Sequence, residues 1–76
     1  MVLADVFADI FEQPAETFSD ESNQESVTGW TSLRHVALLV GVENAYGIRF
    51  SNAEMASMRS MGDIRSALHR KGVDVS

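Results

Sequence analysis

Val2, Leu3, Val6, Phe7, Ile10 and Phe11 recur at intervals of three and four residues, with Asp5, Asp9 and Glu12 between them. This is the period of a helix with one apolar face, and it predicts a first helix over about residues 2–13. Gln13 and Pro14 end it, because proline lacks an amide proton and disfavours helical geometry in the residue before it. Residues 14–30 are mostly Glu, Asp, Ser, Thr, Asn and Gln with no apolar period, and Phe18, Val27 and Trp30 are expected to tether them to the core. Seventeen residues without regular structure are uncommon in a small domain and normally mark a functional segment. The stretch 14–30 is therefore read as a functional loop.

The helical period resumes at Thr31 or Ser32, either of which can cap a helix by accepting a bond from a first-turn amide. This second helix is predicted to run over residues 31–46. Gly47 supplies the left-handed residue that ends a helix at least steric cost, and Ile48, Arg49 and Phe50 form a short extended connection. Ser51 and Glu54 have capping-box spacing, which predicts a short third helix over about 52–58 carrying Met55 and Met58. Ser60 caps a fourth helix over 61–71, with Ile64, Ala67 and Leu68 facing inward and Gly72 closing it. The expected fold is all-α, a small four-helix bundle of three main helices and a short third one in a single domain, 1–76.

Projecting the second helix at 100° per residue places Val36, Leu38, Leu39, Val42 and Tyr46 on a broad face read as core. Leu33, Ala37 and Val40 lie opposite, beside Arg34, Gly41 and Asn44. A helix apolar nearly all round in so small a bundle implies either cover by the long loop or contact with a partner. Partner contact is the preferred expectation, through Thr31, Leu33, Arg34, Ala37 and Val40.

Composition narrows the functional classes. The chain has 76 residues, no cysteine, six Lys plus Arg and eleven Asp plus Glu, for a formal charge of −5. Without cysteine there is neither a disulfide framework nor a thiolate zinc site, so apolar packing must hold the fold. The acidic balance offers no footprint for a phosphate backbone, which argues against nucleic acid as a partner. No apolar run reaches the roughly 20 residues that span a bilayer, and the first residues carry acids where a signal peptide carries bases. A cytoplasmic monomer with no membrane partner is the expectation. The charge is segregated: residues 1–30 hold seven acids and no Lys or Arg, whereas residues 31–76 hold four acids and all six bases.

Gly29-Trp30-Thr31-Ser32-Leu33, reached after a long loop and opening an apolar helix, resembles the Asp-Ser-Leu attachment motif of acyl carrier proteins and peptidyl carrier (thiolation) domains. Glu43-Asn44-Ala45-Tyr46-Gly47-Ile48-Arg49-Phe50-Ser51 is similar to the family's acidic helix end, aromatic residue and connection into the third helix. Length, helix order and the long first loop fit as well, so the resemblance covers nearly the whole chain. It implies a freestanding carrier, not itself an enzyme, on which a phosphopantetheinyl transferase attaches 4′-phosphopantetheine from coenzyme A to Ser32. Acyl-loading and acyl-processing enzymes would then act on a thioester carried by that arm, in a specialised fatty-acid, polyketide or nonribosomal-peptide pathway. Thr31 occupies the position of the motif's aspartate, and Arg34 and Ala37 stand where related carriers commonly place acids. The alternative is an unmodified carrier-like helical module that uses Ser32 only as a cap and binds a partner through Leu33, Ala37 and Val40.

The phosphodiester such a resemblance places on Ser32 would sit at a helix N-terminus, where free amides and the positive dipole end favour an anion. His35, three residues on, is a helix-surface neighbour of Ser32. It is read as a core-edge histidine bonded to a loop carbonyl, with contact to the arm as a second possibility. A catalytic Ser32–His35 pair would need an orienting carboxylate and an oxyanion site, for which no pattern is present. Trp30 is read as packing at the base of the loop, with shielding of the arm as the alternative. Met55, Met58 and Met61 are read as deformable core filling, or else the lining of an acyl cleft. His69 is remote from His35, and no metal is expected.

Overall fold

The computed structural model describes residues 2–75. Four α-helices form: α1 (Leu3–Phe11), α2 (Ser32–Tyr46), α3 (Asn52–Ser57) and α4 (Met61–Arg70). Among the described residues there is no strand; a single isolated bridge pairs Asn23 with Ser60. The protein is an all-α small bundle, and no described helix is long and apolar enough to cross a membrane.

Leu3, Val6, Phe7 and Phe11 of α1 pack against Leu38, Leu39 and Val42 of α2, closed by Met61, Ile64, Ala67 and Leu68 of α4. Burial of such side chains, at roughly 25 cal/mol per Å² of apolar surface, is the main force holding a chain without disulfides. Gly47, at φ 66°, ends α2, and the carbonyl of Glu43 accepts from both Gly47 N and Ile48 N. α3 has the expected capping box between Ser51 and Glu54, and Ser60 caps α4 by accepting from Asp63 N.

Helix α1 ends earlier than the proline signal implies. Its last residue is Phe11, and Glu12 adopts a left-handed conformation at φ 55°, so the chain has already turned before Gln13 and Pro14. Pro14 instead opens a turn of 3-10 helix, Ala15–Thr17. The segment 14–30 is thus not free of regular structure. Asn23 Oδ1 accepts from Glu25 N and Ser26 N, and the Ser22 hydroxyl accepts from Ser19 N at 2.9 Å. These local bonds substitute for the missing apolar period, which is why a search for periodicity misses the order they create.

Two anchors fix that segment. Phe18 and Trp30 join Phe7 and Phe11 in a four-ring cluster with centroids 5.3–5.9 Å apart, the edge-to-face and tilted geometry that ring quadrupoles favour. Val27 is buried beside them, so the three expected tethers all hold. At the other end, the carbonyls of Ser22 and Asp20 each accept at 2.9 Å from the first two amides of α4, Met61 N and Gly62 N. Gly62 is needed there, because a Cβ would sit 2.9 Å from the Asp20 carbonyl oxygen. Arg65 adds an ion pair to Asp20 at 2.8 Å.

Candidate functional site

The start of α2 is positioned by Trp30, the last core residue before it. Thr31 has extended geometry, and its hydroxyl accepts from Arg34 N at 3.2 Å, so Thr31 is the cap. Ser32 is the first helical residue, is exposed, and its hydroxyl makes no bond to any described residue. The idea that Ser32 serves only as a cap is corrected: the residue before it already fills that role. The amides of Ser32 and Leu33 are likewise without acceptors among the described residues, as expected for the first positions of a helix whose cap reaches only the third.

Beneath this open turn the structure is tightly satisfied. Trp30 is buried, and its indole N–H donates to His35 Nδ1 at 3.0 Å while the two rings stack at an interplanar angle of 25°. His35 Nε2 lies 3.0 Å from the carbonyl of Met55. An indole N–H only donates and a carbonyl only accepts, so the two partners place the imidazole proton on Nε2. His35 therefore bonds a carbonyl as expected, but that carbonyl lies in α3 and not in the long loop. With both nitrogens engaged, His35 has none left to receive the Ser32 proton. Nor is either available to an arm without breaking this chain of bonds. Met58 and Met61 are buried and Met55 is half-buried, all three belonging to or packed against the core.

The outer side of α2 differs from the helical-wheel expectation at one residue. Leu38, Leu39 and Val42 are buried and Tyr46 is half-buried, but Val36 is 56% exposed. It sits at the margin of the broad face and joins Leu33 at 82% and Val40 at 43% exposure. Ala37 lies between them, also exposed. The loop does not cover Leu33 or Val40; its aromatic anchors hold it against α1 instead. The result is an apolar stripe at positions 33, 36, 37 and 40. Leu33, the most exposed of its large side chains, would gain about 1.5–3 kcal/mol on full withdrawal from water, and the half-exposed Val36 and Val40 correspondingly less.

Two charged residues near the stripe have roles the sequence does not reveal. Arg34 Nη1 donates to the carbonyl of Ile10 at 2.8 Å, bonding the end of α1 to the start of α2. Glu43 turns its carboxylate to the connection, where Oε2 accepts from Phe50 N at 2.8 Å. A shallow cleft of about 290 Å³ separates α1 from α2 below the stripe, lined by Val6, Asp9, Ile10, Gly41, Asn44 and Ala45. No three His, Asp or Glu side chains converge into a metal-holding group among the described residues.

The sequence-expected residues thus divide. Thr31, Ser32, Leu33, Arg34, Ala37 and Val40 are all exposed along α2 and its cap, with Arg34 turned toward α1, whereas Trp30 and His35 lie beneath as supports. Compared with known proteins, the chain matches no family model and no curated sequence.

Proposed function

We propose that this chain is a carrier of acyl or aminoacyl groups, modified on Ser32 with phosphopantetheine by a phosphopantetheinyl transferase. The observation that carries this reading is the free Ser32 hydroxyl: exposed, first in its helix, and released from capping by Thr31. The residues around it fit the group. A phosphodiester on that oxygen meets two open amides at the positive end of α2, and none of the exposed residues of that helix is a carboxylate that would repel it.

Attachment is balanced without any catalytic group of this chain. The Ser32 oxygen forms a bond to the phosphorus of coenzyme A that bears the pantetheine, the pyrophosphate link breaks, adenosine 3′,5′-bisphosphate leaves, and the serine proton passes to a base of the transferase. When bound, the arm supplies a terminal thiol for thioester chemistry, which this cysteine-free chain does not itself provide. The chain's own part is to hold the hydroxyl in water on a rigid helix end. Trp30, His35 and Met55 serve this by locking the turn from below. Acyl-loading and acyl-processing enzymes then meet the cargo and the stripe on α2 together.

The exposed Leu33, Val36 and Val40 also favour a second reading, an unmodified module that binds a protein through this stripe. Intact-mass measurement after incubation with coenzyme A and several broad-specificity transferases separates the two. The carrier reading expects a gain of one phosphopantetheine group that Ser32→Ala abolishes while leaving Tm within about 2 °C, as for an exposed side chain without partners. No gain with any transferase, including on Thr31→Asp, would leave the binding module.

A further inference from the structure

The exposed residues of α2 are Ser32, Leu33, Arg34, Val36, Ala37, Val40, Asn44 and Ala45. On a chain with five more acids than bases, this set contains no carboxylate and one cation. The single acid of α2, Glu43, is half-buried and occupied by Phe50 N. Arg34 is held in place by its bond to the Ile10 carbonyl, leaving its other guanidinium donors unpaired among the described residues. On the unmodified chain the open amides of Ser32 and Leu33 add the positive end of the helix dipole to the same end of the stripe. Asp9 is the one acid in the cleft alongside, and it lies beside Gly41, Asn44 and Ala45, toward the other end. The positive charge of α2 therefore lies at the Ser32 end of the stripe, while Asp9 flanks the helix across the cleft.

We propose that the partner docking on this face is a protein with an apolar groove for Leu33, Val36 and Val40 and an acidic rim at the Ser32 end, where a carboxylate pairs with Arg34. Complementary charge fixes which way round the groove lies on the helix, and a basic rim at that end would be repelled. A guanidinium already immobilised by the Ile10 carbonyl loses little freedom on pairing, and its planar fork suits a carboxylate. The inference rests on the carrier reading in taking this partner to be an enzyme that approaches the unmodified Ser32, before a phosphodiester there adds a negative charge.

The test uses the full, isotopically labelled chain and two synthetic amphipathic helical peptides with the same Leu/Ile face. One peptide carries Glu along both flanks of that face and the other carries Lys. Binding is followed on the amide resonances of residues 32–45. The Glu-flanked peptide is expected to bind α2 about fivefold more tightly, the scale of one favourable charge pair, although net charge alone would favour the Lys-flanked one. Arg34→Gln should bring the two affinities together, and Arg34→Glu should invert them. Equal or tighter binding of the Lys-flanked peptide to these amides overturns the proposal, and so does the absence of any shift with either peptide. The mass measurement on Ser32 is independent of this outcome. Modification without the peptide preference removes the acidic-rim inference alone, whereas the preference without modification removes the carrier reading and leaves the docking surface.

Discussion

Helices α2 and α4 both begin on a hydroxyl cap, Thr31 accepting from Arg34 N at 3.2 Å and Ser60 from Asp63 N at 3.0 Å. Beyond the cap they differ. The next free amides of α4, Met61 N and Gly62 N, are bonded to carbonyls of the long loop, and Arg65 ties the same loop by its side chain. Those of α2, Ser32 N and Leu33 N, are left to water. A helix start is made structural or available by what is brought against it, and here the loop carbonyls reach the start of α4 and not that of α2. The side of α2 that faces inward is closed by Trp30 and His35, so only its outer edge is open.

The sharpest way to break this contrast is to open α4. Gly62→Ala drives a methyl to 2.9 Å from the Asp20 carbonyl oxygen, and backbone on both sides has little room to yield. We expect a loss of about 2–3 kcal/mol, seen as a fall in Tm of roughly 10–20 °C, with Ser32 still modifiable at low temperature. The next largest effect comes from removing the support under α2. His35→Phe keeps a ring but strands the buried Trp30 N–H and the Met55 carbonyl, for a cost of about 2 kcal/mol by urea unfolding.

Thr31→Val removes the cap itself and should cost about 1 kcal/mol, leaving a frayed first turn detectable by faster amide exchange at Arg34. Thr31→Asp keeps an acceptor and adds a charge favoured by the dipole, so it should restore or exceed the original stability by a few tenths of a kcal/mol. If its modification rate also rises, the threonine is what limits the transferase.

The smallest effect concerns α3, whose start is closed by its own side chain. Bonding from Ser51 N and then the Lys71 ammonium hold the Glu54 carboxyl below the usual glutamate range. A carboxyl lowered in the folded state contributes stability above its unfolded value of about 4.3, and that contribution is lost as pH falls through the folded value. Urea midpoints should therefore respond to Glu54→Gln at pH 7 and be nearly insensitive to it well below pH 4. No response at either pH value would show that the neutral capping-box bond, which a glutamine carbonyl oxygen can also accept, and not the ionised pair, is what matters.

The hydroxyl caps at Ser51 and Ser60 and the glycine stop at Gly47 were legible because each depends on neighbours within about four residues, and Phe18 and Trp30 were legible as large apolar residues in a polar stretch. What escaped depends on residues far apart in the chain. Gly62 carries no signal of its own until Asp20 is seen against it, and nothing local to Arg34 points to its bond with Ile10. Val36 was misplaced because a helical wheel gives the direction of a side chain but not whether a neighbour covers the margin of the face. At the candidate site, the exposure of Ser32 followed from the motif's place in the layout. Its freedom from capping did not, since Thr31 and Ser32 are equivalent on composition alone.

The chain has one tryptophan, and it is the residue whose indole is both buried and bonded to His35. Its ultraviolet emission is thus a native optical probe at the junction of the loop, α2 and α3, requiring no label. A spectrum that moves to longer wavelength before helical circular dichroism is lost would report that this junction separates first, with the outer rods still wound.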